Sequence, residues 1–181
     1  MSTSHDRSSL YVAVASAVIA LIALGYSFYQ GKLQKDNFQI SVQPYVTVVP
    51  TIDSGKNQYG YYIYNSGVGR GYIDRVEYYY DGKRVPGNNI APLRTVVKLL
   101  GFDENCFSYG NPRANDSISL DEMNTLLTIS SAAGANCKNT IENFHKAFAG
   151  GQSRFTLKIW YRSLYDIHFV YDSADNSQHK L

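Results

Sequence analysis

The residues in this sequence whose types and spacing could best support catalysis are an aspartate and a histidine near its carboxyl end. Asp166 and His168 stand two residues apart in a stretch of alternating apolar and polar residues, which places both side chains on one face of a predicted strand. A histidine beside a carboxylate can act as a general base. The nearest candidate nucleophile, Ser163, lacks the Gly-x-Ser-x-Gly elbow. A solvated polar face also explains the pair and is the favoured interpretation, so the sequence predicts no catalytic site.

Glycines and histidines were the next candidates for a site. Gly67, Gly69 and Gly71 resemble a phosphate loop, but the third glycine comes one residue too early and no Lys-Ser/Thr pair follows. The glycines are better explained by a tight turn between strands. The histidines have no His-x-x-x-His spacing, so we expect neither a metal site nor a cofactor. They are His5, His145, His168 and His179.

The two cysteines leave two states open. Outside the cytoplasm Cys106 and Cys137 could form a disulfide, which is the single intramolecular pairing that two cysteines allow. Inside the cytoplasm they would be ordinary buried thiols. The charges flanking the apolar segment described below favour the cytoplasm, and free thiols are therefore the preferred interpretation, with the disulfide as the alternative.

Tyrosine is the compositional outlier, with 16 copies against one tryptophan and eight phenylalanines. Many of these tyrosines fall on strands predicted to be adjacent, and they occupy both faces. Tyrosine packs well in cross-strand pairs, which is the favoured explanation. Those that do not enter the core could instead form an exposed aromatic patch, which is the candidate binding surface of this sequence. Its members would be Tyr61, Tyr62, Tyr64, Tyr78, Tyr79 and Tyr80.

The element expected to position the rest of the chain is an apolar segment near the amino end. Residues 10–29 contain no charge and no proline. A helix of that length spans about 30 Å, the hydrocarbon thickness of a bilayer. A helix is expected because lipid offers no partner to the backbone amides. The sequence therefore predicts one transmembrane helix that contacts the bilayer, preceded by a short polar tail at residues 1–9.

Two other interpretations of this segment are disfavoured, and the flanking charges indicate an orientation. A buried core helix is disfavoured by the length of the run. A cleaved signal peptide is disfavoured because the leading residues carry one arginine cancelled by one aspartate. Arg7 precedes the segment, whereas Lys32 and Lys35 follow it. Basic residues near membrane ends prefer the cytoplasm, so this count slightly favours a cytoplasmic domain.

The remainder of the chain is expected to form one domain of ordinary size. Residues 30–37 are predicted to be a polar connector, residues 38–172 a β-rich soluble domain and residues 173–181 a frayed tail. Net charge is +2, with 17 basic and 15 acidic residues interspersed along the chain, which gives no indication of nucleic-acid binding. Period-two alternation predicts strands over residues 38–42, 45–49, 59–64, 72–80, 155–161 and 165–171.

Local signals place the turns and short helices. Asp81-Gly82 between β-forming runs predicts a tight hairpin. Pro92 and Gly101 bracket a predicted helix over residues 93–100, and a second helix is expected over residues 139–149. The capping-box spacing at residues 119–122 leaves residues 123–129 as either helix or strand. The predicted fold class is mainly β (α+β), a β-sandwich-like domain with two or three short helices.

Several short motifs in this order resemble a group of uncharacterised bacterial single-pass membrane proteins. Residues 41–45 (SVQPY) and 65–73 (NSGVGRGYI) are followed by residues 81–83 (DGK) and 161–169 (YRSLYDIHF). The chain departs from the group at Arg70-Gly71, where the group has Pro-Ala. The resemblance implies a small β domain tethered to the membrane, and it supplies no activity or site residue.

The sequence thus favours a non-enzymatic function. We expect a membrane-anchored interaction, sensor or scaffold module of a bacterial inner membrane, with an unknown protein partner. The alternative is an exported or periplasmic ligand-binding domain that recognises a ligand such as a glycan through exposed tyrosines. An enzyme ranks third, because no nucleophile or acid/base pair stands out.

Overall fold

A computed structural model describes residues 3–53, 58–130, 137, 139–140, 143–144 and 154–181 of the chain. It divides the chain into two units, Met1–Ser41 and Val42–Leu181. The first unit is helical, and the second contains all the described strands.

The first unit is one helix, α1 (Thr3–Ser41). Its segment Ser9–Ser41 is long and apolar enough to cross a membrane, judged by length and composition, and none of its apolar window is buried. Large apolar side chains such as Ile19 and Phe28 are exposed along it. A core helix of a soluble domain would bury this face, so the structure confirms a long apolar helix at the amino end.

The predicted connector and first strand were wrong. Residues 30–37 continue α1, and residues 38–41 are its last turn rather than part of a strand. Lysine, leucine and glutamine favour the helical state here. The helix then ends before Pro44, because proline disfavours the α conformation of the residue that precedes it. The alternation that suggested a strand was too short to distinguish the two periods, and Phe38 and Ile40 are both exposed.

The second unit contains two antiparallel sheets. The first sheet has the order β1-β2-β7-β5, and the second has the order β10-β9-β8-β3-β4, with β6 also paired to β3. The strands of the described residues are β1 (Val46–Asp53), β2 (Gln58–Asn65), β3 (Gly71–Tyr80), β4 (Lys83–Arg84), β5 (Phe107–Tyr109), β6 (Ser117–Ile118), β7 (Met123–Ile129), β8 (Phe155–Ser163), β9 (His168–Asp172) and β10 (Ser177–Lys180).

Both sheets contribute side chains to one main core. Burying these side chains is the dominant favourable term in folding, at roughly 1.5–3 kcal/mol for each large apolar side chain. The two antiparallel sheets confirm the mainly β (α+β) class, and their buried side chains share this core. The first sheet supplies Val46, Ile63 and Leu126, and the second supplies Ile73, Leu157, Ile159, Tyr161, Phe169 and Tyr171.

Local turn and capping signals were confirmed where they were strongest. Asp81 and Gly82 have φ values of +48° and +72°, as a two-residue hairpin turn between β3 and β4 requires. The helix α2 (Ala91–Leu99) has Pro92 in its first turn, and Gly101 follows its end at φ +81°. The ambiguous residues 123–129 form β7, and the capping-box glutamate instead closes the turn before that strand.

Two further predictions concern the tail at residues 173–181 and the helix at residues 139–149. The tail at residues 173–181 is not frayed, because residues 173–176 turn and β10 then pairs with β9. Asn176 occupies the left-handed conformation in this turn, at φ +52°. The helix predicted over residues 139–149 lies largely outside the described residues, of which 139–140 and 143–144 are helical.

Candidate functional site

The motif at residues 65–69 is a structural clamp centred on Asn65, whose side chain is fully buried. Its Oδ1 accepts hydrogen bonds from the backbone N–H groups of Tyr45 and Gly67, each at 3.0 Å. Its Nδ2 donates to the carbonyl oxygens of Gly69 at 2.8 Å and Ile118 at 3.0 Å. All four hydrogen-bonding positions of the amide are thus used inside the domain, as a buried amide requires.

The glycines of the same motif are required by close backbone contacts. A Cβ atom on Gly69 would lie 1.7 Å from the carbonyl oxygen of Val42, and one on Gly67 would lie 2.3 Å from the backbone nitrogen of Tyr45. The N–H of Gly67 is bonded to Asn65, and that of Gly69 approaches the carbonyl oxygen of Gln43 at 3.5 Å. These amide groups are directed into the protein, so this turn does not present a phosphate cradle.

Ser163 also has a structural role. It is buried, and its Oγ accepts hydrogen bonds from the backbone N–H groups of Tyr165 and Ile167, each at 3.2 Å. Its own N–H donates to the carbonyl oxygen of Ile167 at 2.9 Å. Ser163 therefore fixes the turn between β8 and β9, in which Asp166 has φ +59°. It does not face His168 as a nucleophile would.

The Asp166 and His168 pair does lie together, and a second carboxylate, that of Asp74, joins it. The Nε2 of His168 is 3.5 Å from Oδ1 of Asp166, and its Nδ1 is 3.1 Å from Oδ2 of Asp74. Arg162 pairs with Asp74 and lies 3.6 Å from Asp166. It also donates to Oδ1 of Asn115 at 2.7 Å. Sequence reasoning missed Asp74 because 94 residues separate it from His168.

This cluster is one end of the solvent-facing side of the second sheet, which we call the outer face. Arg75 stacks on the ring of Trp160 at 3.9 Å, and Lys158 pairs with Asp172 at 2.7 Å. The charged side chains of the outer face are thus tied to one another across β3, β8 and β9. The outer face comprises Tyr72, Asp74, Arg75, Glu77, Tyr79, Thr156, Lys158, Trp160, Arg162, His168, Val170 and Asp172.

The predicted tyrosine patch is not brought together as one exposed surface. Tyr61, Tyr62 and Tyr64 lie on β2 of the first sheet, whereas Tyr78, Tyr79 and Tyr80 lie on β3 of the second, so the two runs are not on paired strands. Tyr62 and Tyr78 are buried, and the other four are partly buried. The sequence predicted tyrosines on both faces of two adjacent strands, but β2 and β3 belong to different sheets, which alternation within one strand cannot show.

Most of the six tyrosines have internal roles. The rings of Tyr61 and Tyr78 both pack on Phe155, at centroid distances of 6.0 and 6.4 Å. Burial raises the pKa of both phenols above their ordinary value. The hydroxyl of Tyr80 donates to the carbonyl oxygen of Leu99 at 2.9 Å, which ties β3 to the end of α2.

Tyr62 is buried, and the other two side chains, those of Tyr64 and Tyr79, bond to carboxylates. The Tyr64 hydroxyl donates to Asp121 at 2.6 Å, and the Tyr79 hydroxyl donates to Glu77 at 2.8 Å. The bond to Asp121 raises the pKa of Tyr64, and burial followed by the bond to Glu77 raises that of Tyr79. Only Tyr79 belongs to the outer face.

Two other tyrosines protect the edge of the first sheet. The backbone N–H of Val46 in the edge strand β1 donates to the hydroxyl of Tyr161 in the second sheet at 3.3 Å. Tyr171 receives the equivalent bond from Val48, although burial is the larger influence on its pKa and raises it. Pro50, two residues further, has no N–H to satisfy. This edge of the first sheet is therefore closed to further strand pairing.

Cys106 and Cys137 form a disulfide, with their Cα atoms 5.7 Å apart. The preference for free thiols is thus corrected in favour of the alternative. Both residues are buried beside Val97, Leu127 and Ile129 in a second core cluster. The sequence allowed a choice between disulfide and free thiols only through the expected cellular compartment. It does not show that the fold brings the two cysteines together. Phe144 packs in the same cluster against Phe102 and Phe107, at centroid distances of 6.1 and 5.6 Å.

Two recesses were considered as small-molecule sites. A cleft of about 420 Å³ lies between β1 and the second sheet and is lined mainly by apolar side chains, including Val48, Tyr61 and Leu157. A smaller cleft of about 250 Å³ contains Glu122 and Asn124. Within the described residues, no group of three or more histidine, cysteine or acidic side chains could hold a metal ion.

Comparison of the chain with protein-family models, with curated proteins and with solved structures finds no match. The features on which a function can be argued are the long apolar helix and the antiparallel β domain with its charged, aromatic outer face.

Proposed function

We propose that this chain is a membrane-anchored, non-catalytic binding module, and that the outer face of its second sheet contacts a protein partner. The observation that carries the proposal is the stacking of Arg75 on Trp160 in the middle of that face. Tryptophan and arginine are the residues most enriched at the energetic centres of protein interfaces. Such a face on an anchored domain suits a sensor, scaffold or accessory subunit, which is the function expected from the sequence.

The arrangement of reactive groups supports a non-catalytic role. His168 lies between Asp74 and Asp166, but Ser163, the nearest hydroxyl considered as a nucleophile, is committed to two backbone N–H groups. General acid–base or nucleophilic catalysis requires a reacting group within hydrogen-bond reach of the base. Arg162 forms ion pairs with both aspartates, and these ion pairs hold the side chains of the outer face in one conformation.

We also propose that the domain lies on the oxidising, non-cytoplasmic side of a bacterial inner membrane. The disulfide between Cys106 and Cys137 supports this side, because the cytoplasm keeps thiols reduced. The lysines after the apolar segment favoured the opposite orientation, but only by two basic residues against one. The bacterial origin rests on the motif resemblance alone.

Two fusion reporters test the orientation. Alkaline phosphatase folds only where disulfides form, so its fusion to Leu181 is expected to be active in cells, whereas a green fluorescent protein fusion at the same residue is expected to be dark. The opposite pattern would contradict the proposed side. It would leave the proposal of a binding module untouched.

A photo-crosslinking pair tests the binding surface. Benzoyl-phenylalanine is placed at Val170, in the middle of the outer face, or at Leu120, an exposed residue in the turn before β7. Crosslinking in intact cells is expected to yield a discrete adduct from position 170 and none from position 120. No adduct from either position, or equal adducts from both, would overturn the proposal.

A second candidate function is binding of a small apolar ligand in the cleft between β1 and the second sheet. The observation in its favour is the cleft volume of about 420 Å³, which is within the usual range of ligand pockets. The form of this alternative that depends on exposed tyrosines has less support, because Tyr62 and Tyr78 are buried. A Val48→Trp variant would fill the cleft and abolish such binding while leaving the outer face intact.

A further inference from the structure

The second sheet has a gap along one edge of β3. On the side of β3 away from β8, the short strand β6 pairs with Gly71 and Tyr72, and the short strand β4 pairs with Tyr79 and Tyr80. Among the described residues, no strand pairs with residues 74–78 on that side. An open groove of about 420 Å³ occupies the gap, and we call it the edge groove.

The backbone on either side of the gap shows which groups face it. Ile73 bonds away from β8 through both its N–H, to Asp116 at 2.8 Å, and its carbonyl oxygen, from Asn115 at 2.7 Å. The carbonyl oxygen of Tyr78 likewise accepts from the N–H of Val85 at 2.8 Å. Backbone groups alternate sides along a strand, so Val76, two residues before Tyr78, directs its N–H and C=O into the edge groove.

The side chains around the groove have an excess of positive charge. Arg75 and Arg84 both pair with a single carboxylate, that of Glu77, at 3.4 and 3.5 Å. The guanidinium of Arg113 has no ion pair with any carboxylate in the described part of the chain. The other carboxylate in the lining, Asp74, is already neutralised by Arg162.

Amide side chains complete the lining. Asn88 and Asn89 flank the groove on the side of α2, and Asn111 flanks it on the other. Each offers two N–H donors and one carbonyl acceptor, the combination that suits a peptide backbone. The groove thus combines an unpaired strand edge with cations and amides.

From these features we infer that the edge groove binds an extended acidic segment of a partner protein. The segment adds as a short strand between β6 and β4 and exchanges two backbone hydrogen bonds with Val76. Its carboxylates pair with Arg84 and Arg113. Addition of a strand to an open sheet edge is a recurring mode of peptide recognition, in which the backbone gives affinity and neighbouring side chains give specificity. This inference rests on the proposed function as a binding module, and it names a second contact on that module and its chemistry.

The test uses the full-length protein in lipid nanodiscs and a phage-displayed library of random 12-residue peptides. Enriched peptides are expected to contain at least two acidic residues and no proline in their central part. One enriched peptide is then synthesised, and its affinity is measured by fluorescence anisotropy against variants of the protein. Arg113→Glu is expected to weaken binding at least tenfold, whereas Lys83→Glu, which makes the same charge change on β4 outside the groove, is expected to change it less than twofold.

Backbone pairing has its own readout. Methylation of the central amide nitrogens of the peptide removes their N–H donors and is expected to abolish binding. Hydrogen exchange at the Val76 amide is expected to be fast in the free protein and at least tenfold slower in the complex. No enrichment of acidic peptides, equal losses in the two charge variants, or unchanged Val76 exchange would each overturn the inference.

The outcomes separate this inference from the proposed function. If Arg113→Glu leaves the adduct formed from position 170 unchanged and no acidic peptide binds, the edge groove is refuted while the outer face remains an interaction surface. Self-association of the protein that Arg113→Glu abolishes, without any peptide binding, would assign the groove to a second copy of the chain and also overturn the inference. Arg113 is exposed, so its substitution is not expected to affect folding.

Discussion

The side-chain oxygen of Asn65 accepts a hydrogen bond from the backbone N–H of Tyr45, which lies 20 residues earlier in the chain. The same amide bonds the glycine turn that follows it and the carbonyl oxygen of Ile118. One buried side chain thus joins the start of the domain, the turn between the sheets and the short strand β6. This relationship explains why the motif at residues 65–69 has a structural role rather than a catalytic one.

Replacing Asn65 by aspartate is expected to destabilise the domain by about 3 kcal/mol. Aspartate keeps the acceptor but removes the donor, which leaves the carbonyl oxygens of Gly69 and Ile118 without a partner and buries a carboxylate. Thermal unfolding in detergent, followed by the fluorescence of Trp160, the single tryptophan, measures the loss. Asn105→Ala, at an exposed position of the short 3₁₀ helix Glu104–Cys106, is the control and is expected to cost less than about 0.5 kcal/mol. Equal effects of the two variants would contradict the clamp.

Loss of the disulfide is expected to destabilise the domain by about 3–4 kcal/mol. The bond closes a loop over a sequence separation of 31 residues, and the chain-entropy model assigns a cost of that size to opening such a loop. The Cys106→Ala, Cys137→Ala double variant is compared with the wild type by chemical denaturation. Alkylation of the unfolded wild type before reduction is expected to label neither cysteine. Labelling of both cysteines without a reductant would show that the bond is absent and would also remove the support for a non-cytoplasmic domain.

The sequence predicted the elements that depend on local signals and failed where distant segments decide the structure. The hairpin at Asp81-Gly82 and the position of α2 follow from backbone preferences of single residues; the hairpin was found where expected, and α2 begins two residues earlier and ends one residue earlier than predicted. The pairing of Asp74 with His168 depends on the register of three strands, and no pattern within one strand encodes it. The last strand was missed because its residues are polar, and polar residues form an edge strand as readily as a tail.

Glu122 is expected to give the domain a pH-dependent stability in the acid range. Its carboxylate accepts a hydrogen bond from the backbone N–H of Ser119 at 2.7 Å, and this bond lowers its pKa below the ordinary value. A carboxyl group with a lowered pKa in the folded state contributes stability above its unfolded pKa of about 4.3, and the contribution is lost as the pH falls through the folded pKa. The wild type should therefore lose more stability than Glu122→Gln as the pH falls from about 6 to 3.

The melting temperatures of the wild type and of Glu122→Gln, measured across this range, check the prediction. Their difference is expected to be largest near pH 6 and to shrink on acidification. Glu104→Gln, which removes the partly exposed partner of Lys98, provides the comparison for loss of a surface carboxylate. A difference between wild type and Glu122→Gln that stays constant with pH would assign the effect of the substitution to packing instead.

Arg75 is expected to shield Trp160 from solvent on the outer face. Its guanidinium lies 3.9 Å from the centre of the indole ring, and Glu77 holds it there through an ion pair at 3.4 Å. Arg75→Ala should raise the acrylamide quenching constant of the single tryptophan about twofold, and it should cost about 0.5–1 kcal/mol of stability, the usual range for an exposed cation–π contact. Arg94→Ala, which removes an arginine stacked on Tyr109 instead, is expected to leave the quenching unchanged.

If partner binding at the outer face depends on the stacking of Arg75 on Trp160, Arg75→Ala will also reduce the adduct formed from position 170, whereas Arg94→Ala will not. An unchanged adduct would show that the partner contacts the outer face away from Trp160.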